Sequence, residues 1–355
     1  MTADVTVVGA GLIALATAAE LAERGIPTRL IGTTHQGEAS SAAAGMLAPS
    51  TEQEVRIIHR FATASRDLYP GYLAALEAKT GISVPLNRLG ILQIAFTPEG
   101  AKALQGRSNS EGVLLDAAQV IALEPTLIHA AGGVLYPDDG CLDPLLLLEG
   151  LRLLVSRHKM ITIHSENVRH INLTAERCQV TTDQENRYHS HRVVLAAGAW
   201  TPQIKGLPRP IPIQPVRGQM VAFGGAILRH VVYGPHGYIV PKADGHTLAG
   251  STMERAGFSA QTTDDGIAVV RAIGEEICPT LRTSRISASW AGLRPVTPDL
   301  LPILGSDPEV PNVIYACGHS RNGVLLTPLT AKVVADVVTG AVPQYDLAQF
   351  RPDRF

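Results

Sequence analysis

The sequence predicts an α/β protein: a nucleotide-binding domain assembled from separated segments, and an α+β domain with a mostly antiparallel sheet built from the insertions between them. Three observations carry this. The chain opens on a strand–glycine turn–helix–strand unit, α/β pieces return near its middle and end, and short strands fill the stretches between. The expected division gives residues 1–76, 140–212 and 296–355 to the first domain and residues 77–139 and 213–295 to the second.

In order, Val5–Val8 is an apolar strand, residues 9–24 read as an Ala/Leu-rich helix stopped by Gly25, and Thr28–Ile31 is the second strand. Residues 37–46 form a small-residue loop, and helical patterns run from about Glu52 to Thr80. Short strands begin at Pro85, residues 90–96 being the clearest. Asp143-Pro144 places an N-cap acid before a proline at the first helical position. A hairpin-like stretch over 161–188 precedes a strand at 192–196 that ends in Ala197-Gly198-Ala199-Trp200. Residues 211–295 read mostly as strands, at 219–223, Tyr238–Pro241, 247–249 and 286–290. A strand at 313–316, a glycine loop and a helix from about Leu325 to Val338 close the chain.

Composition narrows the function. The 355 residues are 45% hydrophobic and 17% charged, with a net charge of -2. No Lys/Arg cluster offers the positive face that nucleic-acid binding needs. The start, Met1-Thr2-Ala3-Asp4, lacks a basic region before a long apolar run, so no secretory signal is expected. The richest apolar segment, 145–155, is interrupted by Glu149 and Arg152 and is too short to span a bilayer, which leaves a cytoplasmic location as the expectation. Cys141, Cys178, Cys278 and Cys317 are widely spaced and read as free thiols rather than disulfides or metal ligands. His189 and His191 lack carboxylate or cysteine companions at ligand spacing and read as a solvated strand, so no metal site is expected.

Gly9-x-Gly11-x-x-Ala14 follows a strand and opens a helix, the dinucleotide fingerprint in its required context. Gly9 permits the tight turn, Gly11 lets backbone approach a pyrophosphate, and the helix N-terminus offers free N–H groups and a positive dipole end. The ribose-binding acid usual after the second strand is missing; Ile31-Gly32-Thr33 stands there, and Thr33, Thr34 or backbone groups are the substitutes.

Further motifs become recognisable together: residues 41–46 (SAAAGM), 196–200 (AAGAW), 215–219 (PVRGQ), 238–241 (YIVP), 290–295 (WAGLRP) and 318–323 (GHSRNG). In this order they resemble the D-amino-acid oxidase and sarcosine oxidase superfamily of FAD-dependent oxidoreductases, and within it the glycine oxidases of thiamine biosynthesis. The resemblance spans essentially the whole chain. It implies a Rossmann-like FAD-binding domain of the glutathione-reductase type, non-covalent FAD, a small amino-acid substrate, molecular oxygen as acceptor and a homotetramer. From the fingerprint and the motifs, FAD contacts fall on Gly9, Gly11, Leu12, Ile13, Ser40, Ser41, Ala44, Gly45, Met46, Val168 and Gly198, on Thr33 as the substitute for the missing acid, and on the run His319, Ser320, Arg321, Asn322, Gly323, Val324 and Leu325. Arg294 and Tyr238 carry the catalytic and substrate-binding roles, with Arg321, His236 and Met253 beside them.

The residue chemistry agrees. A planar carboxylate is best held by a guanidinium fork, and Arg294 would supply one, with the Tyr238 hydroxyl adding a bond. The expected step is hydride transfer from the substrate α-carbon to flavin N5, which needs orientation rather than a strong base. The resulting imine would hydrolyse or enter thiazole formation, with hydrogen peroxide as co-product. His236 is expected to line the pocket, and backbone N–H groups of 318–323 to face the charge of reduced flavin. Alternatives are a D-amino-acid or imino-acid dehydrogenase with a non-oxygen acceptor, a non-catalytic flavoprotein subunit and a nicotinamide dehydrogenase.

Overall fold

The computed structural model describes residues 3–51, 56–107, 111–174, 177–225 and 227–355. The expected helix start at Glu52 lies outside them; the helix is described over Arg56–Thr80.

The opening strand lies inside a six-stranded sheet ordered Ile303–Ser306, Val313–Cys317, Arg192–Leu195, Val5–Val8, Thr28–Ile31, Ile161–His164. All pairs are parallel except Ile303–Ser306 with Val313–Cys317. Strand alternation sends Val5, Val7, Val194, Ile314 and Ala316 into one apolar core, and Val8, Val193, Leu195, Val313, Tyr315 and Cys317 into another. The first core is shared with the helices Leu12–Glu23, Arg56–Thr80, Pro144–Arg157 and Gly323–Thr339. The second lies against a three-stranded antiparallel sheet of Val168–Leu173, Cys178–Thr182 and Arg187–Ser190. A parallel sheet is thus buried on both faces, which is why its strands read as unbroken apolar runs.

The insertions build an eight-stranded sheet ordered Ile286–Val296, Gln214–Gly224, His246–Gly250, Tyr238–Pro241, Val231–Tyr233, Ile91–Ala95, Gly132–Tyr136, Val113–Asp116. It is antiparallel except where Val231–Tyr233 runs beside Ile91–Ala95.

Four sequence expectations need correction. The 161–188 stretch is not one hairpin: Ile161–His164 pairs in parallel with Thr28–Ile31 as the sheet edge, and only the rest forms the antiparallel meander. Residues 211–295 include a helix, Asp264–Ile277, with Thr263 as its N-cap accepting from the Gly266 N–H at 3.1 Å and Asp264 and Asp265 in its first turn. Its buried residues Val270, Ile273, Gly274 and Ile277 recur at helical spacing, so the signal was present. The last long strand continues past Trp290 to Val296, which puts Arg294 on the strand rather than after it. The small-residue loop holds one short helical turn, Ala39–Ala42.

The Asp143-Pro144 start is as expected: the Asp143 carboxylate accepts from Leu145 N–H at 2.8 Å and Leu146 N–H at 3.4 Å. Among the described residues no helix is long and apolar enough to cross a membrane. Replacing Asp143 with Ala leaves those amides to solvent and is expected to cost about 1 kcal/mol, measured as a shift in the urea unfolding free energy.

Candidate active site

The C-terminal ends of the parallel strands open into a cavity of about 1010 Å³ that the second sheet closes from the other side. This is where open α/β sheets bind ligands, and the volume is at the top of the usual range for small-molecule sites.

At one end stands the glycine turn. Gly9 has φ +135°, and a Cβ on it would meet the Ala196 carbonyl oxygen at 2.4 Å. Its N–H bonds Ile31 O at 2.8 Å. Gly11 caps the Leu12–Glu23 helix with no side-chain hydrogen bond, and Leu12 N–H reaches Ser40 Oγ at 3.0 Å. The next amides have no acceptor inside the helix, so this N-terminus presents donors to the cavity. Ala14 is fully buried where the fingerprint allows a third glycine.

Beyond the second strand, Thr33 donates to Asn167 Oδ1 at 2.6 Å, and Asn167 Nδ2 donates to Asp183 at 2.9 Å. Glu166 also lines this end, but its carboxylate already accepts from Thr182 at 2.5 Å, Tyr188 at 2.7 Å and Asn186 at 3.1 Å. The Thr182 bond, ahead of those from Tyr188 and Asn186, holds Glu166 below the usual carboxylate range. His35 stacks on Trp200 with ring centroids 4.4 Å apart, and both line the cavity.

At the other end, Arg294 crosses the neighbouring strand at Gly218, where a Cβ would fall 2.0 Å from its Nη1. Its Nη2 donates to Ser251 Oγ at 2.6 Å and its Nη1 to Thr252 O at 3.2 Å. Among the described residues no carboxylate pairs with it. The Arg294 strand is docked on the small-residue loop: Leu293 N–H bonds Gly37 O at 2.8 Å, and Trp290 Nε1 bonds Ala42 O at 3.1 Å. A Cβ on Gly292 would meet Ala42 Cβ at 2.4 Å, so only glycine fits there. Tyr238 faces Met220 Sδ at 3.5 Å and packs on Tyr233 with ring centroids 5.5 Å apart.

The 318–324 segment forms the third wall. Gly318 and Ser320 take positive φ of 71° and 50°. The Ser320 N–H bonds Pro295 O at 3.0 Å, so that amide is already committed. Asn322 opens the Gly323–Thr339 helix without a side-chain cap, and Gly323 and Val324 line the cavity at this second uncapped N-terminus. The buried Tyr69 hydroxyl bonds Val324 O and pins that turn. His319 is buried, with Nε2 3.1 Å from Thr330 Oγ1, and burial lowers its pKa to about 3, leaving a neutral imidazole.

Gly9, Gly11, Leu12, Ile13, Thr33, Ser40, Ala44, Gly45, Met46, Val168, Gly198, the run from His319 to Val324, Arg294, Tyr238 and Met253 all line this one cavity. Three expected residues do not. Ser41 turns its hydroxyl back to Glu38 O at 3.2 Å. Leu325 packs in the helix core at 3% exposure. His236 points outward to Glu276, 2.9 Å away, with its side chain 70% exposed, while its neighbours Pro235 and Gly237 face the cavity. Sequence reasoning missed His35, Asn167, Met220 and Ser251; only Gly218 and Gly292 carried a signal, as glycines inside the quoted motifs.

A parallel sheet with a glycine turn, two helix N-termini and a guanidinium around one cavity defines a dinucleotide-binding protein of the open α/β class. The chain belongs to the FAD dependent oxidoreductase family, whose model matches residues 4–337. It is 30% identical to the glycine oxidase of Pseudomonas aeruginosa, over 99% of each chain. The crystal structure of glycine oxidase from Geobacillus kaustophilus superposes with a TM-score of 0.93 at 30% identity, covering 100% of this chain and 99% of that one. The bifunctional protein ThiO/ThiG of Synechocystis is 34% identical over 100% of this chain but only 54% of its own length, so the chain spans about half of that relative. These comparisons bear out the resemblance to glycine oxidases read from the motifs. FAD fits the donor set: a helix N-terminus at Gly11 whose Leu12 amide is held by Ser40 while the following turn faces the cavity, a glycine turn with no room for a side chain, and a second helix N-terminus facing the same space.

Two outcomes test this site. A Cβ on Gly11 would come within 2.8 Å of Ser40 Oγ, so Gly11→Val displaces the hydroxyl that holds Leu12 N–H. The purified variant should retain little or no flavin, read from the flavin-to-protein absorbance ratio. His319 titrates far lower folded than unfolded, where its value is about 6.5. Its contribution to stability is present above pH about 6.5 and is lost progressively as pH falls toward about 3. His319→Gln removes that loss, so the drop in melting temperature between about pH 7 and about pH 5 should be smaller in the variant than in the parent.

Proposed function

We propose that the protein is an oxidase of glycine, or of a small N-substituted glycine or D-amino acid, with non-covalently bound FAD. The products are the imine and hydrogen peroxide, and the imine serves thiazole formation for thiamine. The observation that carries this reading is Arg294: a cavity-facing guanidinium steadied by two neutral oxygens, with no carboxylate beside it among the described residues. A guanidinium held this way keeps donor capacity for the carboxylate of an incoming amino acid.

Arg294 holds the carboxylate and so fixes where the α-carbon lies. Tyr238 adds its hydroxyl, whose partner Met220 Sδ, at 3.5 Å, is a weak acceptor easily exchanged for a carboxylate oxygen. Bound FAD supplies the hydride acceptor and its reoxidation by oxygen. The Gly323–Thr339 N-terminus faces the same space with positive potential, the arrangement that stabilises an anion forming there. Neither the buried neutral His319 nor the outward-turned His236 is placed to act as a base, consistent with a substrate that enters as the free amine.

The proposed division assigns 1–76, 140–212 and 296–355 to the FAD unit and 77–139 and 213–295 to the substrate unit. The strands of the two large sheets partition almost along those limits, which supports it. The resemblance further suggests a homotetramer, and the sequence pattern a cytoplasmic location.

Anaerobic mixing with glycine, sarcosine, D-alanine or D-proline should bleach the bound flavin for at least one of them, and air should restore the colour with hydrogen peroxide. Bleaching by none of them sinks the reading. Arg294→Ala should weaken the apparent affinity for the amino acid by about 2–5 kcal/mol, measured from KM and from competitive inhibition. An unchanged KM would remove Arg294 from the carboxylate site.

A further inference from the structure

The oxygens that steady Arg294 both come from residues 251–252, a segment with an irregular backbone. The Gln214–Gly224 strand pairs Met220 with Gly250 and, further along, Arg217 with Glu254. Two residues, 218 and 219, separate the pairing points on one side; three, 251 to 253, separate them on the other. That is a β-bulge, which re-aims groups toward a site. Here it throws Ser251 Oγ and Thr252 O onto the guanidinium and leaves Met253 lining the cavity.

A bulge needs its loosened ladder fixed by something else, and the Glu254 carboxylate does this. Its Oε1 accepts from Thr252 Oγ1 at 2.5 Å and from Gln219 Nε2 at 2.7 Å. Its Oε2 accepts from Arg217 Nε at 3.1 Å and also from Arg217 Nη2. Main-chain bonds close the same pair, Arg217 N–H to Glu254 O at 2.8 Å and Glu254 N–H to Arg217 O at 2.9 Å. Thr252 Oγ1 in turn accepts from Gln219 N–H at 2.9 Å. Arg217 also reaches Gln261 O at 3.0 Å, so the later part of the same loop is tied to it. The PVRGQ motif thereby acquires a role for each polar member: Arg217 and Gln219 grip Glu254, and Gly218 clears the path of Arg294.

We propose that Glu254 is a positioning residue for carboxylate recognition: it locks the 251–253 bulge, and the bulge aims the Arg294 guanidinium. This rests on the carboxylate-binding role proposed for Arg294. Glu254 acts only through Thr252 and the bulge.

The test uses the FAD-loaded full chain and acetate, a carboxylate ligand that is not a substrate, titrated against the visible spectrum of the bound flavin. In Glu254→Gln the acetate Kd and the glycine KM should each rise on the order of tenfold, with kcat changed far less, as when a supporting charge-assisted hydrogen bond is lost. In an Arg294→Lys background the same substitution should have little further effect on kcat/KM, because the group it aims is gone. Unchanged acetate affinity in a flavin-loaded Glu254→Gln protein overturns the proposal, and so does a fully additive effect in the Arg294→Lys background. Should Glu254→Gln fail to hold FAD, Thr252→Val, which removes only the linking hydroxyl, is read instead: weaker acetate binding supports the proposal and wild-type binding overturns it. A wild-type protein that neither binds acetate nor oxidises any of the amino acids above overturns the Arg294 reading itself, and this inference with it.

Discussion

The site depends on one close approach of backbones. The strand that carries Arg294 lies against the 37–42 loop of the nucleotide-binding unit, joined by Leu293 N–H to Gly37 O at 2.8 Å and Trp290 Nε1 to Ala42 O at 3.1 Å. The contact is possible because Gly292 has no side chain: a Cβ there would sit 2.4 Å from Ala42 Cβ. Gly37 is equally tight, with a Cβ falling 2.3 Å from Ala260 Cβ. A guanidinium meant to hold one end of a small molecule must stand at a fixed distance from the group that reacts with the other end. Here that distance is set by one main-chain bond and one indole-to-carbonyl bond between the Arg294 strand and the 37–42 loop, which deform far less than a pair of long flexible side chains.

Charge inside the cavity follows the same logic of early commitment. Two helix N-termini, at Gly11 and Asn322, enter without a side-chain bond from their N-cap residues, so apart from the Leu12 amide, which Ser40 holds, their first-turn donors face the ligand space. Carboxylates nearby are spent on the protein. Burial would raise the Glu254 carboxyl, but bonds from Thr252, Arg217 and Gln219 outweigh it and hold it below its usual range. Glu166 is occupied by Thr182, Tyr188 and Asn186. Burial also works on the buried Asp139, raising it, yet its oxygens collect Ser50, Thr51 and Arg66 and so fix the loop that carries the cavity residues Ala48 and Thr51. An anionic ligand therefore meets donors, while Glu166 and Glu254 stay ionised with their oxygens occupied by local hydrogen bonds.

The parts legible in the sequence were those specified locally. The glycine turn between Val5–Val8 and the first helix, the Asp143-Pro144 helix start and the arginine of the WAGLRP segment each depend on a few adjacent residues. What escaped depends on folding partners far away in the chain. The direction of His236 is decided by a turn that puts Pro235 and Gly237 inward and by Glu276, 40 residues further along the chain. The Glu254 grip joins residues 37 apart, and no spacing rule connects PVRGQ to it. The Asp264–Ile277 helix is a different case: Thr-Asp-Asp-Gly announced it, and the β-rich surroundings masked a local pattern that was there to be read.

Where the dinucleotide fingerprint usually has an acid after the second strand, this fold has a chain of hydrogen bonds from Thr33 through Asn167 to Asp183. A carboxylate at position 33 would face the cavity beside Glu166 and would have to be desolvated with it. Thr33 is neutral, and its hydroxyl proton is donated to Asn167 Oδ1 at 2.6 Å, which leaves the hydroxyl oxygen as an acceptor. Asn167 is fixed from behind by Asp183, through Nδ2 at 2.9 Å and its backbone N–H at 3.0 Å. The Asn167 bonds hold Asp183 below the usual carboxylate range, so the negative charge is present but sits at the solvent-facing end of the chain of bonds. A ribose hydroxyl would then find an oriented, polarised acceptor without a second carboxylate having to be buried next to Glu166. Neutral acceptors lose less to desolvation than charged ones, so this arrangement trades strength of a single bond for a site that is easier to keep folded when empty.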